Sequence, residues 1–583
     1  MLNFYDFEVF KYDWLVVIIN PITKTRSIII NDRLSFEKYY EEHKNEIWIG
    51  YNVRHYDQYI AKGILCGFNP TDINKYIIVD GKPGWSYSDL FKKFPMINFD
   101  LMLKNDGGLK SLEAFMGNNI EETSVPFDID RKLTKREITE TVMYCTHDVE
   151  QSIEVFLNRK EEFDAMMGLI KIFKRNIRDM SKTKAQLVAA ICGGMYKEFD
   201  DEFNFELAPT LRLKKYSHIA RWYKNPVNHD YKKTQIVVVA GIPHTFAWGG
   251  IHGATGEIRV GKTGKKSIKS IPYYGEGCFI IADVTAYYPS MQLRYKWGYR
   301  NMRTPENFEH IHNENLRLKK IDKKARLPYK IADNSISGQL KDKYSSIRDP
   351  RDNNAICVNG QLLLLDLIEK LEPHIEMLVQ SNTDGILFKI ADTDEAFNKV
   401  DDIVYEWEQR TGMKMEFDVF RKVFQKDVNN YVLVAEDGSY KAKGAYVKSL
   451  GPLDYDLPIV NKAMVEYMTK GIPIETTIYE CNKLIMFQKV VKLTGKYNYV
   501  FHNGRKHVNK CYRVFSSNRR NDGTIYKCKE GKNPEKFANT PPKCFIDNSD
   551  IKEKTVPDYL DRRWYVEITR ERLTQFGVNY ERG

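Results

Sequence analysis

The sequence lacks the long apolar segments and paired cysteines that would place it in a membrane or in an oxidising compartment. Its longest apolar runs, Trp14 to Ile19 and Ile236 to Ile242, have the length of strands, far below the roughly 18 residues of a membrane-spanning helix. Its nine cysteines include no C-x-x-C pair, which argues against a zinc site. Asp6 and Glu8 stand where a signal peptide would be basic and then apolar. We therefore expect a cytoplasmic protein without membrane contact.

The composition indicates an ordinary globular protein. Of its 583 residues, 42% are hydrophobic, 29% charged and 13% aromatic. These proportions exclude a disordered, collagen-like or disulfide-dense chain. At roughly 150 residues per domain, the length predicts about three to five domains.

The net charge of +11 has one location. Residues 481–532 contain thirteen lysines and arginines against two acids, a local charge of +11, so the other 531 residues sum to zero. A neutral body with one basic segment indicates a polyanion-binding site rather than a merely solubilising surface.

Hydrophobic periodicity predicts an α/β and α+β multidomain fold. The main predicted strands are Phe4–Val9, Leu15–Asn20, Arg26–Ile30, Gln235–Ala240 and Phe279–Ala282. The main predicted helices cover 134–175, 182–199, 305–326, 328–344 and 356–372. Asn503-Gly504 between alternating segments predicts a hairpin turn.

Four acids in the first 150 residues form a candidate metal site. Asp6 and Glu8 lie two residues apart on an apolar strand, so their carboxylates share a face and repel unless a cation lies between them. Asp57 follows another short apolar strand, and Asp148 lies one helical turn beyond Tyr144. Four such carboxylates can hold two divalent ions for phosphodiester hydrolysis, with the Tyr144 hydroxyl orienting the attacking water.

The order of these motifs carries a resemblance. D-x-E at Asp6, N-x(3)-Y-D from Asn52 and Y-x(3)-D from Tyr144 are similar to the 3′–5′ proofreading exonuclease domain of DNA polymerases. Ser111-Leu112 resembles the motif with which the small bacteriophage branch of family B contacts single-stranded primer ends. The resemblance implies that Asn52, Ser111 and Leu112 bind DNA.

A second pair of acids lies further along the chain. Asp283 ends an apolar strand, and Asp384 stands at the tip of a predicted hairpin whose Gly385 is free to adopt φ > 0. Two acids from separate strands, with a nearby backbone carbonyl, form a site for paired Mg²⁺ at a triphosphate.

These segments resemble motifs A and C of family-B DNA polymerases, and Lys330–Gly338 between them resembles motif B. The resemblance implies that Asp283, Asp384 and the Val284 carbonyl hold two Mg²⁺ ions, with Mn²⁺ as an alternative that oxygen ligands also suit.

The same resemblance assigns nucleotide and primer contacts. Tyr288 would pack under the sugar, Lys330 would hold the triphosphate and Asn334 would line the nascent base pair. The basic run before Lys330 adds Arg326 as a second phosphate ligand, and Lys443 to Tyr446 resembles a primer-binding motif.

The resemblance implies an RNase H-like exonuclease domain followed by a right-hand polymerase. The implied domains are an exonuclease at 1–165, a connecting region at 166–275, palm at 276–304 and 346–450, fingers at 305–345 and a basic thumb at 451–583. The implied partners are primer-template DNA and dNTPs, with replication accessory proteins as further candidates. We expect a monomer, in the host cytoplasm if the chain is phage-encoded.

Departures from the family pattern leave two other functions open. Asn382 stands where motif C has an acid, Ser337 where motif B has tyrosine, and Ala286-Tyr287 where motif A has Ser-Leu. One alternative is a 3′–5′ exonuclease with a degenerate polymerase half. The other is a replication-associated DNA-binding protein without catalysis.

Two further patterns bear on function. The 47 residues from Asp283 to Lys330 and the 46 from Gly338 to Asp384 leave no room for the additional subdomains of the protein-primed branch. Gly256 to Thr263 matches the phosphate-loop pattern G-x(4)-G-K-T. Its bulky interior and the lack of a following helical pattern predict a basic hairpin near the DNA instead.

The basic segment 481–532 interleaves its cations with aromatic residues and follows the palm, as a thumb would. Lys496, Arg505, Lys506 and Arg513 are its predicted DNA contacts, through phosphates. This placement predicts that truncation after about residue 480 weakens DNA binding far more than it disturbs either acid cluster.

Overall fold

In the computed structural model, which describes residues 1–580, helices and several β-sheets form two units. Unit 1 contains Met1–Thr183, Leu450–Pro458 and Cys481–Trp564. Unit 2 contains Lys184–Ser449, Ile459–Glu480 and the chain from Tyr565. The segment 451–583, predicted as one thumb domain, is thus divided between them. Within the described residues, no helix is both long and apolar enough to cross a membrane.

Unit 1 begins with a five-stranded sheet in the order β3-β2-β1-β4-β5. β1 pairs antiparallel with β2, which pairs antiparallel with β3, as the alternating sequence predicts. On its other side β1 pairs parallel with β4, and β4 with β5. The strands are β1 (Leu2–Val9), β2 (Trp14–Asn20), β3 (Thr25–Ile30), β4 (Ile47–Gly50) and β5 (Ile97–Asp100).

Helices enclose this sheet, and β1 at its centre is nearly all buried. The helices are α1 (Arg33–His43), α2 (Asp57–Cys66), α3 (Pro70–Asn74), α4 (Leu109–Met116), α5 (Lys135–Asn158) and α6 (Lys160–Ile172). A capping box between Thr134 and Glu137 starts α5. The predicted helix at 134–175 is therefore two helices, α5 and α6.

Unit 2 is built on a nine-stranded sheet in the order β16-β15-β14-β11-β13-β12-β8-β7-β6. Its strands are β6 (Gln235–Val239), β7 (Ile242–Phe246), β8 (Ile251–Ala254), β11 (Tyr273–Val284), β12 (Met377–Asn382), β13 (Gly385–Ile390), β14 (Met415–Asp427), β15 (Asn430–Val434) and β16 (Tyr440–Lys443). A separate ribbon pairs β9 (Gly256–Val260) with β10 (Lys266–Ser270). It confirms that the G-x(4)-G-K-T run is a hairpin.

The core of unit 2 is centred on α12, which packs against α8, α9 and α13 and is buried on all sides over most of its length. The helices are α7 (Lys184–Ile191), α8 (Ser217–Lys224), α9 (Tyr287–Tyr295), α10 (Pro305–Leu318), α11 (Lys323–Gln339), α12 (Pro350–Leu371), α13 (Asp394–Thr411), α14 (Pro458–Lys470) and α15 (Ile474–Glu480).

Two predicted helix boundaries in unit 2 are wrong. The helix predicted at 182–199 ends at Ile191, because Gly193 adopts φ of 66° and Gly194 bridges to Met302. The break between the helices predicted at 305–326 and 328–344 lies earlier in the chain, between Leu318 and Lys323. Asp322 caps α11 by accepting from two backbone N–H groups, and Pro328 lies inside the helix.

The C-terminal module, defined here as Cys481–Trp564, completes unit 1. Its strands are β17 (Lys489–Lys492), β18 (Tyr499–His502), β19 (Arg505–His507), β20 (Cys511–Ser516), β21 (Tyr526–Cys528), β22 (Glu535–Lys536) and β23 (Cys544–Ile546), and α16 (Arg562–Thr574) follows. Asn503 and Gly504, at φ of 48° and 74°, form the predicted hairpin turn between β18 and β19.

The C-terminal module packs on the end of α4. The Ile120 N–H donates to the Asn548 carbonyl at 2.8 Å, the Ile551 N–H donates to the Gly117 carbonyl at 2.8 Å, and the Gln488 amide donates to the Phe115 carbonyl at 3.0 Å. Truncation after residue 480 would therefore also remove part of unit 1, and whether it weakens DNA binding far more than it disturbs either acid cluster stays a prediction.

Candidate functional site

In unit 1, Asp6 and Glu8 lie on the same face of β1, as the strand period predicts. One ligand atom each from Asp6, Glu8 and Cys145 lie within 4.8 Å of one another. Asp57, the first residue of α2, is tied to this strand because its Oδ1 accepts from the Phe7 N–H at 3.1 Å. Glu8 and Asp57 are only 6% and 3% exposed, so their carboxylates have little contact with water.

Asp148 joins the cluster from α5, together with a cation from α4. Lys110 donates to Asp148 and also, at 3.1 Å, to Glu113 Oε1. Its ammonium lies 4.6 Å from the centre of the Tyr144 ring, which places Tyr144 beside the cluster. His147 Nε2 is 3.5 Å from Glu113 Oε2, and one ligand atom each from Glu113, His147 and Asp148 lie within 4.8 Å of one another.

Electrostatics in this cluster favour bound cations. Burial, followed by the charges of Asp57 and Glu8, raises the pKa of Asp6 well above its ordinary value. Burial and the charges of Asp148 and Asp57 do the same to the pKa of Glu8. Burial also raises the pKa of Asp57 to about 7 and that of Asp148 to about 6. Carboxylates that oppose one another's ionisation in this way fit divalent cations.

The donor chemistry favours oxygen-liganded metals. Burial raises the pKa of the Cys145 thiol well above its usual value, and a thiol that stays protonated is a poor ligand. The remaining donors are carboxylate oxygens, which suit Mg²⁺ or Mn²⁺. Asp6, Glu8, Asp57 and Asp148 would hold such ions.

The predicted DNA contacts near this cluster divide into two groups. Asn52 is half-buried at φ of 66°. Its N–H and that of Arg54 each donate to the Asp100 carboxylate at 2.9 Å, so Asp100 sets the shape of the loop. Ser111 and Leu112, by contrast, are 7% and 3% exposed on α4. Most of the surface of these two side chains is enclosed within unit 1, and their contact with DNA stays a prediction.

In unit 2, Asp283 lies on β11 of the central sheet, and Asp384 lies in the turn between β12 and β13. Asp283 on β11 is directly opposite Gly385 on β13, and the Val284 N–H donates to the Asp384 carbonyl at 2.8 Å. Both acids line a cavity of about 180 Å³ together with Asn382, Tyr431, Lys441 and Lys443. The predicted hairpin is confirmed. Gly385, however, is not in the positive-φ region, so its role in the turn differs from the predicted one.

Cations and a third acid surround this pair. Lys441 Nζ lies 3.0 Å from Asp283 Oδ2, and both side chains are about 40% exposed. Partial burial and the charge of Asp283 raise the pKa of Asp384, while Lys443 and Lys441 oppose that shift. Glu416 is directly opposite Asp283 on β14 and pairs with Lys319.

Two carboxylates, one on β11 and one in the β12–β13 turn, fit divalent cations, although the lysines already offset part of their charge. Asp283, Asp384 and the Val284 carbonyl would hold the ions.

The predicted nucleotide contacts on α11 share one face of the helix. Arg326, Lys330 and Asn334 follow one another at intervals of four residues. Lys330 and Asn334 are exposed, whereas Arg326 is half-buried and its Nε donates to Asn315 Oδ1 at 2.8 Å. α11 packs against α9, the helix that follows Asp283.

Tyr288 is fixed at the start of α9. Its hydroxyl donates to the Gly249 carbonyl at 3.1 Å. Tyr287 beside it is buried and donates to the Gly360 carbonyl at 2.8 Å. The two tyrosines that stand in place of the usual motif A residues are therefore both anchored to the backbone of unit 2.

Lys443 and Tyr446, the two DNA contacts predicted for the primer-binding motif, have different surroundings. Lys443 is exposed and lines the acid cavity. Tyr446 lies between the side chains of Lys426 and Arg572, whose charged groups are 4.6 and 4.2 Å from its ring centre.

In the C-terminal module, Lys496, Arg505 and Lys506 are exposed. Arg513 is fully buried, and its guanidinium donates to the carbonyls of Asn118, Asp547 and Ser549. The prediction that Arg513 contacts DNA is therefore wrong, because every face of this cation is enclosed by protein.

Several residues of these sites were missed by the sequence analysis. Lys110 and Glu113 lie on either side of Ser111-Leu112 at helical spacing, so their shared face on α4 could have been predicted from the sequence. Lys441 alternates with Lys443 on β16, so both side chains share a face of that strand. No local sequence pattern indicated Glu416, because its position opposite Asp283 depends on the pairing of two strands that are far apart in the chain.

Comparisons with known proteins add little to this geometry. No known protein-family model matches the chain, and no curated protein matches its sequence. The chain is similar to the solved structure of the family B DNA polymerase from the hyperthermophilic archaeon Pyrobaculum calidifontis, with 12% identity and a TM-score of 0.41, over 100% of this chain and 78% of that one. A likeness this weak carries no argument, so the function rests on the side chains described above.

Proposed function

We propose that this protein is a template-directed DNA polymerase with a 3′–5′ proofreading exonuclease, acting in phage DNA replication. The observation that carries the proposal is the presence of two separate acid sites, one in each unit. Each site combines carboxylates from different elements, and each lies among the residues that the sequence motifs assign to it. Two-metal nucleotidyl transfer and two-metal phosphodiester hydrolysis both require such an arrangement.

In the polymerase site, the residues of this chain bind and orient the substrates. Lys330 and Arg326 would hold the triphosphate on one face of α11. Asn334, one turn further, would line the nascent base pair. Tyr288, fixed by its hydrogen bond to Gly249, would pack under the sugar. Asp283, Asp384 and the Val284 carbonyl would hold the two ions, which when bound would supply a lowered pKa for the primer 3′-hydroxyl and neutralisation of charge on the leaving pyrophosphate.

In the exonuclease site, Asp6, Glu8, Asp57 and Asp148 would hold the metal ions, and the Tyr144 hydroxyl would orient the attacking water. The sheet order of three antiparallel strands followed by two parallel ones supports an RNase H-like domain. Asn52 would contact the frayed primer end. Lys443, Tyr446, Lys496, Arg505 and Lys506 would contact DNA elsewhere, mainly at phosphates.

Two alternatives make different predictions. A degenerate polymerase is suggested by Asn382, whose side-chain oxygen accepts from the Thr383 N–H at 2.9 Å and shapes the turn. Asp384, beside it, keeps an accessible carboxylate, which favours an active site. A DNA-binding protein without catalysis would have no use for two acid clusters.

A primer-extension assay tests the proposal. With Mg²⁺ and dNTPs a labelled primer should lengthen on its template, and without dNTPs it should shorten from its 3′ end. Asp384→Ala should abolish only the first reaction and Asp6→Ala only the second. Asp401→Ala, an exposed acid of α13 outside both sites, is the matched control. Shortening without any extension would favour the degenerate polymerase, and binding with neither reaction would favour the non-catalytic protein.

A further inference from the structure

The β9–β10 ribbon is joined to unit 2 at its root, and β9 also contacts β7. At its root the Ile271 N–H donates to the Thr255 carbonyl at 2.9 Å, and the Thr255 hydroxyl donates back to the Ile271 carbonyl at 2.7 Å. The ribbon forms its own two-stranded sheet, outside the nine-stranded one. Five residues per strand give it a length of about 16 Å. Val260 near the tip is 64% exposed.

The charge of this ribbon is uncompensated. Residues 256–270 contain five lysines and arginines and one acid. Arg259 pairs with that acid, Glu257, on its own strand. Over the described part of the chain, no carboxylate pairs with the other four cations, Lys262, Lys265, Lys266 and Lys269. Like charges concentrated on a thin ribbon repel one another, and a polyanion would relieve that repulsion.

The shape of the ribbon indicates which polyanion it fits. Ile258 and Ile268 face each other across the strands and are half-buried, so the ribbon carries its own small apolar contact. A two-stranded β-ribbon fits the major groove of B-DNA, which is about 12 Å wide. A flexible single strand offers no groove, so the fit favours duplex.

The position of the root sets the distance to the polymerase site. Strand pairing from β8 through β12 and β13 to β11 places Thr255 level with Ile280, three strands across and three residues from Asp283. At roughly 4.8 Å per strand and 3.3 Å per residue, the root lies about 17 Å from Asp283. The ribbon adds its own length of about 16 Å, so its tip reaches at most about 33 Å from Asp283. One turn of duplex DNA, about ten base pairs, covers a similar length of 34–36 Å or so.

We propose that the β9–β10 ribbon is a duplex-binding arm that contacts the primer-template about one helical turn behind the primer terminus. The lysines at its tip bind phosphates on either side of the groove. This inference rests on the proposed polymerase function, which places the primer terminus at Asp283 and the duplex along β11.

The test compares two primer-templates with the same overhang, one with a duplex of about 6 base pairs and one of about 16, which end before and beyond one helical turn. Binding to the full-length protein is measured by fluorescence anisotropy over a range of salt concentrations. The variant K262A/K265A/K266A removes the tip cations. The control K214A/K232A/K399A removes three exposed lysines of unit 2 away from the ribbon.

Wild type should bind the longer duplex more tightly than the shorter one. The tip variant should lose that gain, by about tenfold or more at low salt, with a flatter salt dependence, because each phosphate contact contributes to the salt slope. Its affinity for the short duplex should not change, and the control variant should behave as wild type.

Three outcomes would contradict a duplex-binding arm. The tip variant could lose affinity equally for both duplexes, the control variant could show the same loss, or the loss could be confined to single-stranded template. Primer extension on the same samples separates this inference from the proposed function. A length-dependent gain that the tip variant loses, in a protein that extends no primer, would support the arm and contradict the polymerase.

Discussion

A Cβ atom on Gly385 would lie 2.0 Å from Oδ1 of Asp283. The two residues are directly opposite each other on β13 and β11, so the turn that presents Asp384 also determines the space available to Asp283. The backbone carbonyl oxygen of Ala282 lies 3.0 Å from the same position, so it also crowds a methyl group there.

Gly385→Ala should therefore displace the Asp283 carboxylate and reduce primer extension by about a hundredfold or more, since a displacement of 1 Å is enough for such a loss. Exonuclease activity should be retained, because Asp6 and its partners belong to unit 1. Gly495→Ala, where nothing lies within 4 Å of the new methyl group, is the control. Normal extension by Gly385→Ala would show that Asp283 is not a metal ligand.

Lys441→Gln should lower the Mg²⁺ concentration needed for half-maximal extension. The Lys441 ammonium pairs with Asp283 and so competes with a metal ion for the same oxygen. Exposed ion pairs contribute at most about 1 kcal/mol, so the shift should not exceed about fivefold. A Mg²⁺ titration of the extension rate measures it, with Lys399→Gln as the control. An increased Mg²⁺ requirement would instead assign Lys441 to a substrate phosphate.

The metal-free protein should become less stable as pH rises from about 4 to about 7, because Asp57 has a pKa of 3.8 ordinarily and about 7 in the folded protein. A raised pKa means that the folded state binds the proton more tightly than the unfolded state, so stability is lost as that proton leaves. In EDTA, the melting temperature should fall by several degrees between these limits and recover with Mg²⁺. Asp57→Asn should flatten the pH dependence, and an unchanged profile in this variant would contradict the assignment.

Arg513→Met should destabilise unit 1 by about 3 kcal/mol or more, because it leaves several buried carbonyl groups without their donor. Exonuclease activity should be lost at a lower temperature than primer extension. Arg505→Met, an exposed residue eight positions earlier, should change stability by no more than about 0.5 kcal/mol. Equal effects of the two substitutions would contradict the structural role of Arg513.

The difference between Arg505 and Arg513 shows where sequence reasoning reaches its limit. Local patterns predicted β1, the shared face of Asp6 and Glu8, and the Asn503-Gly504 turn, because each depends on neighbours a few residues away. The burial of Arg513 depends on Asn118, which is 395 residues distant. A basic run does not reveal which of its cations the rest of the chain will enclose.

Two predicted helix boundaries were wrong for a related reason. Asp322 and Pro328 both offer a helix start, and only the hydrogen bonds made in the folded chain decide between them. Likewise Gly385 looked like a residue chosen for its backbone freedom. Its actual constraint is the neighbouring Asp283, which strand pairing brings close.

The construction of unit 1 from both ends of the chain has a consequence for synthesis on the ribosome. When Thr183 leaves the exit tunnel, about 300 residues still separate it from Cys481. At roughly 5–20 residues per second, the nascent N-terminal region waits about 15–60 s for the segment that covers α4. Until then the face of α4 that later meets the C-terminal module is open to chaperones and to other nascent chains.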